Sequence, residues 1–329
     1  MSNNRILITG GCGFIGTSLI QSLLKKDPSQ KIRVLDSLIT GSEADLSEVT
    51  SFNSVTLDAL GGDSSQVQLV VADIRDENAV NIAAKGVSAI VHLAANTGVG
   101  PSVENPRLDM ECNVIGTFNV LEGARLNGVE KFVFASSGAP AGEVEPPIHE
   151  ELPPHPVSPY GSSKLAGEGY CSSYYRTFGV KTICLRFGNV YGPRSKNKAS
   201  VVAKFIKQAI AGETCMIYGD GNQTRDFIYI QDLVRAVELA LESSFGGETF
   251  QVASGRERTV GEVAELIACS LKNKGIKMTI EHESKRLGDV LRNYSDTTKA
   301  ENLLGWVADT NLETGIARTI ESFAFEVRV

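Results

Sequence analysis

The chain has 329 residues, of which 22% are charged and 42% hydrophobic, and a formal net charge of −7 at pH 7, enough for one large α/β domain or two lobes around a core. That acidic balance excludes a global attraction to nucleic acid or to an acidic membrane surface, so an anionic ligand has to be held by local arginines. No apolar run reaches membrane-spanning length and the N-terminus enters a strand within a few residues, which leaves no room for a signal peptide and makes the cytoplasm the expected location.

The first predicted strand, Arg5 to Thr9, runs into Gly10-Gly11-Cys12-Gly13-Phe14-Ile15-Gly16 and then into Leu19, Ile20, Leu23 and Leu24 at helical spacing. Gly11, Gly13 and Gly16 satisfy G-x-G-x-x-G, and Gly10, Gly13 and Gly16 satisfy G-x-x-G-x-x-G. In either reading the glycines let backbone approach a pyrophosphate while the helix N-terminus offers free N–H groups to the anion. Asp27-Pro28 stops the helix, and a second strand, Ile32 to Leu35, ends at Asp36. An acid there suits the adenosine ribose hydroxyls of NAD. It would repel the extra phosphate of NADP, and no Arg follows it. The stretch therefore predicts NAD binding by Gly10, Gly13, Phe14, Ile15, Gly16 and Asp36.

Residues 37–66 read as loop with at most a short helix. Val67 to Ile74 is a buried strand ending in an acid; either Asp73 and Ile74 contact the adenine, or Asp73 caps a helix from Asp76 to Lys85. Ser88 to Ala95 is the next strand, closed by Ala94 and Ala95, which are small enough to lie against a dinucleotide. His92 within it reads as a satisfied core histidine. A long helical pattern covers Asn105 to Asn127, and Lys131 to Ser137 is again a strand. This alternation predicts an α/β, parallel, doubly wound sheet.

A loop rich in Pro and Glu, Gly138 to Pro159, precedes a helix that opens with Tyr160-Gly161-Ser162-Ser163-Lys164. Tyr160 and Lys164 share one helix face. A free tyrosine has a pKa of about 10, and a cation about 5 Å away in an effective dielectric near 20 supplies roughly 3 kcal/mol toward ionising it. A positive nicotinamide ring would add to this, so the pair is competent as a general base. The six cysteines contain no C-x-x-C pair and the four histidines no H-E-x-x-H pattern. Free buried thiols and no metal site are predicted.

Through the glycine turn, Asp36, Asp73-Ile74, Ala94-Ala95, Ser137 and Tyr160 with Lys164, nearly the whole chain resembles the extended short-chain dehydrogenase/reductase family, and within it the NAD-dependent nucleotide-sugar epimerases and dehydratases. The resemblance implies a Rossmann-type domain over 1–185, with segments around 226–254 returning to it, and a smaller α/β C-terminal lobe, 186–329, that binds the nucleotide sugar. It implies that Tyr160 removes the sugar 4-hydroxyl proton while hydride passes from C4 to NAD. Ser137 would hydrogen-bond the same oxygen, and Lys164 would hold the nicotinamide ribose and tune Tyr160. Asn113 matches an asparagine that supports a proton relay in the wider superfamily, a packing role being the alternative.

Further along, the resemblance implies that Asn189, in Arg186-Phe187-Gly188-Asn189-Val190-Tyr191-Gly192-Pro193, meets the substrate diphosphate. Tyr218 would flank the uracil, Arg225 and Arg286 would bind the diphosphate, and Asp289 the ribose. Asn293 falls where a large Tyr restricts such enzymes to plain hexoses, so the smaller Asn tilts the substrate toward N-acetylhexosamines. Two departures stand out. Members that eliminate water usually carry Asp-Glu after the Ser, whereas Gly138-Ala139 cannot transfer a proton, which disfavours a dehydratase. Ala141-Gly142 also lacks the common aromatic, implying a differently shaped pocket. The expected activity is a UDP-sugar 4-epimerase on UDP-N-acetylglucosamine and UDP-N-acetylgalactosamine, with UDP-glucose and UDP-galactose as a second pair. A UDP-glucuronate 4-epimerase, an atypical dehydratase and a non-catalytic NAD-binding sensor are the alternatives. A homodimer through 105–127 and 160–178 is implied, with no nucleic-acid or membrane partner.

Overall fold

The computed structural model describes residues 5–198, 200–284 and 291–326. Its strands are β1 (Arg5–Thr9), β2 (Lys31–Asp36), β3 (Asn53–Ser54), β4 (Val67–Val71), β5 (Ala89–His92), β6 (Lys131–Ser137), β7 (Lys181–Phe187), β8 (Asn189–Tyr191), β9 (Thr214–Tyr218), β10 (Thr224–Arg225), β11 (Phe227–Tyr229), β12 (Glu248–Val252), β13 (Arg258–Thr259) and β14 (Thr279–Glu283). The α-helices are α1 (Phe14–Lys26), α2 (Glu43–Ser47), α3 (Glu77–Ala83), α4 (Val99–Glu104), α5 (Pro106–Met110), α6 (Gly116–Leu126), α7 (Pro159–Phe178), α8 (Val201–Ile210), α9 (Ile230–Glu242), α10 (Val260–Lys272), α11 (Thr298–Leu304) and α12 (Leu312–Glu326).

These elements form two compact units. Among the described residues, the first holds those up to Gly142, Pro153–Arg186 and Ala236–Phe250; the second holds Glu143–Leu152, Phe187–Arg235 and those from Gln251 on. An eight-stranded sheet runs in the order β12-β7-β6-β5-β1-β2-β4-β3, and every pairing from β6 to β3 is parallel. Both faces of its central strands are covered, which is why they read as continuous apolar runs. Leu7, Ile8, Ile32, Val34, Ile90 and Val91 have no exposed surface. Helices α3, α6 and α7 contribute Val80, Val120, Leu121 and Tyr174 to a core shared with Phe132 and Phe134 of β6.

The chain winds outward from β1 through β2 and β4, then crosses back to β5 on the other side of β1. Parallel sheets leave a crevice at such a reversal, beyond the carboxyl ends of the two strands. Here that is where the glycine turn and the Ala94 loop emerge. The second unit pairs β8 with β11 and β9 with β14 in parallel, and β10 with β13 antiparallel. Helices α8, α10 and α12 pack on one another beside them.

Several local expectations change. The segment 37–66 contains α2 and β3, the former closed by a capping box between Ser42 and Asp45. Asp76, not Asp73, caps α3, accepting the Ala79 N–H. The predicted helix from Asn105 to Asn127 is present, with those two residues as its caps, and holds one irregularity. Asn105 caps α5, whose first residue is Pro106, and a single π-turn, Glu111–Ile115, separates α5 from α6. Apolar periodicity runs through the whole helix, so sequence alone could not locate the π-turn.

Candidate active site

Gly10 leaves β1 with a φ of +70°, and a Cβ there would lie 2.8 Å from the backbone nitrogen of Ala94. Only glycine allows both the left-handed turn and that approach, which places Gly10 and Ala94 side by side. A Cβ on Gly16 would in turn collide with the Gly10 carbonyl, so α1 starts directly on the turn. Gly13 is its N-cap and supplies no side-chain acceptor, leaving the first-turn N–H groups available to an anion. Phe14 and Ile15 are half-buried in that turn.

Asp36 closes the arrangement. It is buried, its Oδ2 accepts the Cys12 N–H at 2.9 Å and its Oδ1 the Leu38 N–H at 2.9 Å. Burial pushes its pKa up while these N–H groups pull it down. Each carboxylate oxygen keeps lone-pair capacity for a hydroxyl donor. The open cradle at the helix start and this acid at the end of β2 fit an NAD molecule. Asp73 is held by Arg75, with Oδ2 2.7 Å from Nη2, and that bond lowers its pKa. The Ile74 side chain packs under Gly116, whose Cβ would meet it at 2.5 Å. Asn119 fixes the same loop by donating to the Ile74 carbonyl at 3.0 Å. Ala95 follows Ala94, half-buried.

At the carboxyl end of β6, Ser137 Oγ accepts the Ala139 N–H at 3.1 Å, leaving its own proton free to be donated elsewhere. Ser158 caps α7, accepting the Gly161 N–H at 3.1 Å, and Pro159 fills the first helical position. The cap sets where the helix begins and hence where Tyr160 and Lys164 project. Lys164 is buried, and its Nζ donates to the Ala135 carbonyl at 2.8 Å. It lies 4.8 Å from the Phe134 ring centroid and 5.9 Å from that of Tyr160. Burial pushes Lys164 down to about 8, opposed first by Asp109. Burial pushes Tyr160 up to about 12, opposed by its hydrogen bond with Ser137. Lys164 thus does not by itself bring Tyr160 near neutrality, because burial is the largest influence on the phenol.

Asn113 lies in the π-turn, buried, and bonds the loop after Ala95 on both sides. Its Oδ1 accepts the Asn96 N–H at 2.8 Å and its Nδ2 donates to the Asn96 carbonyl at 2.9 Å. His92 is a satisfied core residue, its Nδ1 2.7 Å from Thr9 Oγ1 and its Nε2 3.0 Å from Thr117 Oγ1. Burial pushes it down to about 3, so it is neutral. Sequence reading missed a buried pair beneath these residues. Arg186 donates to both oxygens of Glu168 at 2.9 and 2.8 Å, and Ser136 donates to Glu168 Oε1 at 2.6 Å. The available signal was an acid one turn past Lys164 on the same helix face, which burial obliges to find a cation.

In the second unit, Asp226 and the nearby Thr224 connect three of the predicted residues. Its backbone carbonyl accepts the Asn189 N–H at 2.7 Å. Its Oδ1 accepts from Ser254 N and Oγ, both at 2.6 Å, and its Oδ2 from Gly255 N at 3.0 Å and Ser295 N at 3.2 Å. On its N-terminal side, Thr224 Oγ1 accepts the Asn293 N–H at 3.2 Å and Arg225 donates to the Thr224 carbonyl at 2.6 Å. Asn189 of β8, Arg225 of β10 and Asn293, in irregular chain, are therefore joined through Thr224 and Asp226. Sequence reading overlooked Asp226, although a carboxylate beside apolar Phe227 and Ile228 was the clue. Tyr218 ends β9, with Lys204 Nζ 5.6 Å from its ring centroid. Arg286 and Asp289 lie outside the described residues. Among the described residues, no group of three or more His, Cys, Asp or Glu could hold a metal ion, and no helix is long and apolar enough to cross a membrane.

Residues 6–253 match the NAD dependent epimerase/dehydratase family. A putative UDP-glucose 4-epimerase of Methanocaldococcus jannaschii is 37% identical over 321 residues, spanning 96% of this chain and 97% of that one. The UDP-glucose 4-epimerase of Thermotoga maritima, solved with UDP-glucose, shares the fold with a TM-score of 0.87 at 33% identity, covering 98% of this chain and 99% of that one. The UDP-N-acetylglucosamine 4-epimerase of Methanobrevibacter ruminantium, in complex with UDP-N-acetylmuramic acid, matches with a TM-score of 0.87 at 27% identity over 99% and 100% of the two chains.

Proposed function

Because the chain belongs to the NAD dependent epimerase/dehydratase family, we propose that it is a UDP-sugar 4-epimerase whose substrates are UDP-N-acetylglucosamine and UDP-N-acetylgalactosamine, with UDP-glucose and UDP-galactose as a second pair. The observation that carries the reading is Ser137 at the end of β6 together with Tyr160 and Lys164 one turn apart at the start of α7, Lys164 Nζ lying 5.9 Å from the Tyr160 ring centroid. The glycine turn, Asp36, Asp73, Ile74, Ala94 and Ala95 hold the cofactor. When bound there, NAD would supply reversible hydride acceptance at the sugar carbon, and its positive ring would add charge near the tyrosine.

The residues divide the remaining work. Tyr160 takes the proton of the sugar 4-hydroxyl, and Ser137, its acceptor side occupied by Ala139, donates to that same oxygen. Lys164 lowers the free energy of the tyrosinate by its charge. Asn189, Tyr218, Arg225, Arg286, Asp289 and Asn293 bind the nucleotide sugar in this reading, with arginine forks suited to the diphosphate. The loop after Ser137 supports epimerisation over elimination. Ala139–Ala141 forms a short 3-10 turn with no titratable side chain, and a Cβ on Gly161 would lie 2.6 Å from the Ala139 carbonyl. Val103, Met110, Ile115, Tyr170 and Phe178 expose apolar surface on α4 to α7, which supports a homodimer through 105–127 and 160–178.

Proton NMR of the purified protein with UDP-N-acetylglucosamine, without added NAD, tests the reading. Growth of the UDP-N-acetylgalactosamine anomeric signal to a plateau is expected. A spectrum unchanged even after NAD is added, with turnover of UDP-glucuronate or loss of water from UDP-glucose instead, would overturn it.

A further inference from the structure

Asn293 sits in chain without regular secondary structure, just before the isolated bridge residue Ser295. Its position therefore depends on tethers and not on a helix or strand. Two of them come from Thr224 of β10. The Thr224 backbone N–H donates to the Leu291 carbonyl at 2.8 Å, and its Oγ1 accepts the Asn293 N–H at 3.2 Å. A hydroxyl offers a lone pair in a fixed direction only when its own proton is committed elsewhere. That proton goes to Glu257, whose Oε1 accepts it at 2.8 Å.

Glu257 is held in turn by Arg292. Nε donates to Oε1 at 2.9 Å and Nη2 to Oε2 at 3.0 Å, the two-bond geometry in which an arginine fork fixes the plane of a carboxylate as well as its place. Nη1 donates to Glu145 Oε1 at 2.7 Å, so each guanidinium nitrogen already faces a carboxylate. Arg292 adjoins Asn293 in sequence, and the contacts close a ring: Arg292 to Glu257, Glu257 to Thr224, Thr224 to the Asn293 amide, and back along the chain to Arg292. The side chains of Arg292 and Glu257 are 48% and 27% exposed, and an ion pair so open to water adds little to global stability. Its effect is local: it takes away the freedom of an otherwise irregular residue.

We propose that Arg292, Glu257 and Thr224 are positioning residues that set the sugar selectivity of Asn293 by holding its backbone against β10. The role rests on the 4-epimerase reading, in which Asn293 stands beside the 2-acetamido group. None of the three acts on a reacting atom, so opening the ring weakens binding of the N-acetyl sugar and spares the chemical step. Direct recognition of the diphosphate by Arg292 is the competing reading, and it would penalise every UDP sugar alike.

The test uses the full chain with NAD added. Hydrogen–deuterium exchange, followed in overlapping peptides that isolate the Asn293 amide, needs no substrate. Arg292→Ala and Thr224→Val should each speed that amide by at least roughly tenfold while the urea midpoint stays in place. Wild-type protection in both variants overturns the proposal. In turnover, Arg292→Ala should raise KM for UDP-N-acetylglucosamine by roughly five- to tenfold, with kcat and the KM for UDP-glucose each changed by less than about twofold. An equal rise for both sugars, or none, overturns it. Arg292→Ala added to Thr224→Val should cost no more than either alone, as members of one ring require; losses that multiply would mean independent roles and sink the ring. Glu145→Gln removes the other charge beside Arg292 and should change exchange and KM by less than about twofold; an effect as large as that of Arg292→Ala would place the control outside the ring. If Arg292→Ala does not fold, Arg292→Gln, which lacks the fork, is read against the same outcomes. A wild type that turns over neither sugar would refute the epimerase reading, and the exchange of the Asn293 amide would still decide whether the ring holds that residue.

Discussion

Gly167 of α7 stands so close to Phe134 of β6 that a Cβ on it would lie 2.5 Å from the ring Cζ. This missing methyl lets the helix settle on the strand, and it is what brings Lys164 Nζ to 2.8 Å from the Ala135 carbonyl. Gly167→Ala should force the ring or the helix aside and cost about 1–3 kcal/mol, the usual range for overpacking. Urea unfolding and kcat measured together check this, with kcat expected to fall as Lys164 is lifted. Wild-type stability with wild-type turnover would show that the close approach is not needed.

Glu168 and Arg186 form a buried ion pair with both side chains 7% exposed. Glu168→Gln removes the carboxylate that faces a buried guanidinium, and a loss of about 3–5 kcal/mol is expected from breaking such a pair. Replacing both, as Glu168→Leu with Arg186→Met, should recover most of that loss, because two buried charges disappear together. Denaturant midpoints of the single and double variants decide it. A double variant as unstable as the single would point to the Ser136 bond instead of the charges.

His92 carries an acid-sensitive contribution to stability. Its folded pKa, about 3, lies below the ordinary 6.5, so the unfolded chain binds the extra proton between those values. Stability is then full above about pH 6.5 and falls as pH drops toward 3. At pH 5 the expected loss from this residue is about 2 kcal/mol. Replacement by Gln, which keeps a hydrogen bond to Thr9 or Thr117, should flatten that limb of the stability profile. An equally steep limb in His92→Gln would assign the acid sensitivity to other groups.

Asn293 is tied by its N–H to Thr224, the neighbour of Arg225. Asn293→Tyr should therefore lower kcat/KM for UDP-N-acetylglucosamine by at least roughly tenfold, a steric penalty of about 1.4 kcal/mol, while sparing UDP-glucose. Rates on both sugars measured side by side provide the check, and an equal loss on both would refute a gating role.

The sequence by itself determined the frame of this protein. Apolar runs ending in small or acidic residues announced β1, β2, β4, β5 and β6, and the spacing of Gly10, Gly13 and Gly16 placed the turn between β1 and α1, because a tight turn and a helix start impose those residues locally. Tyr160 and Lys164 were legible for the same reason: four residues on one helix share a face whatever surrounds them. Tertiary structure decided what those residues experience. Only packing shows that desolvation raises Tyr160 and lowers Lys164, that Gly167 admits the helix to Phe134, and that Glu168 meets Arg186. The π-turn at Asn113 and the junction at Asp226 likewise escape periodicity and motif. Each depends on partners distant along the chain, and burial and charge act through distance in space, which a list of neighbours in sequence does not contain.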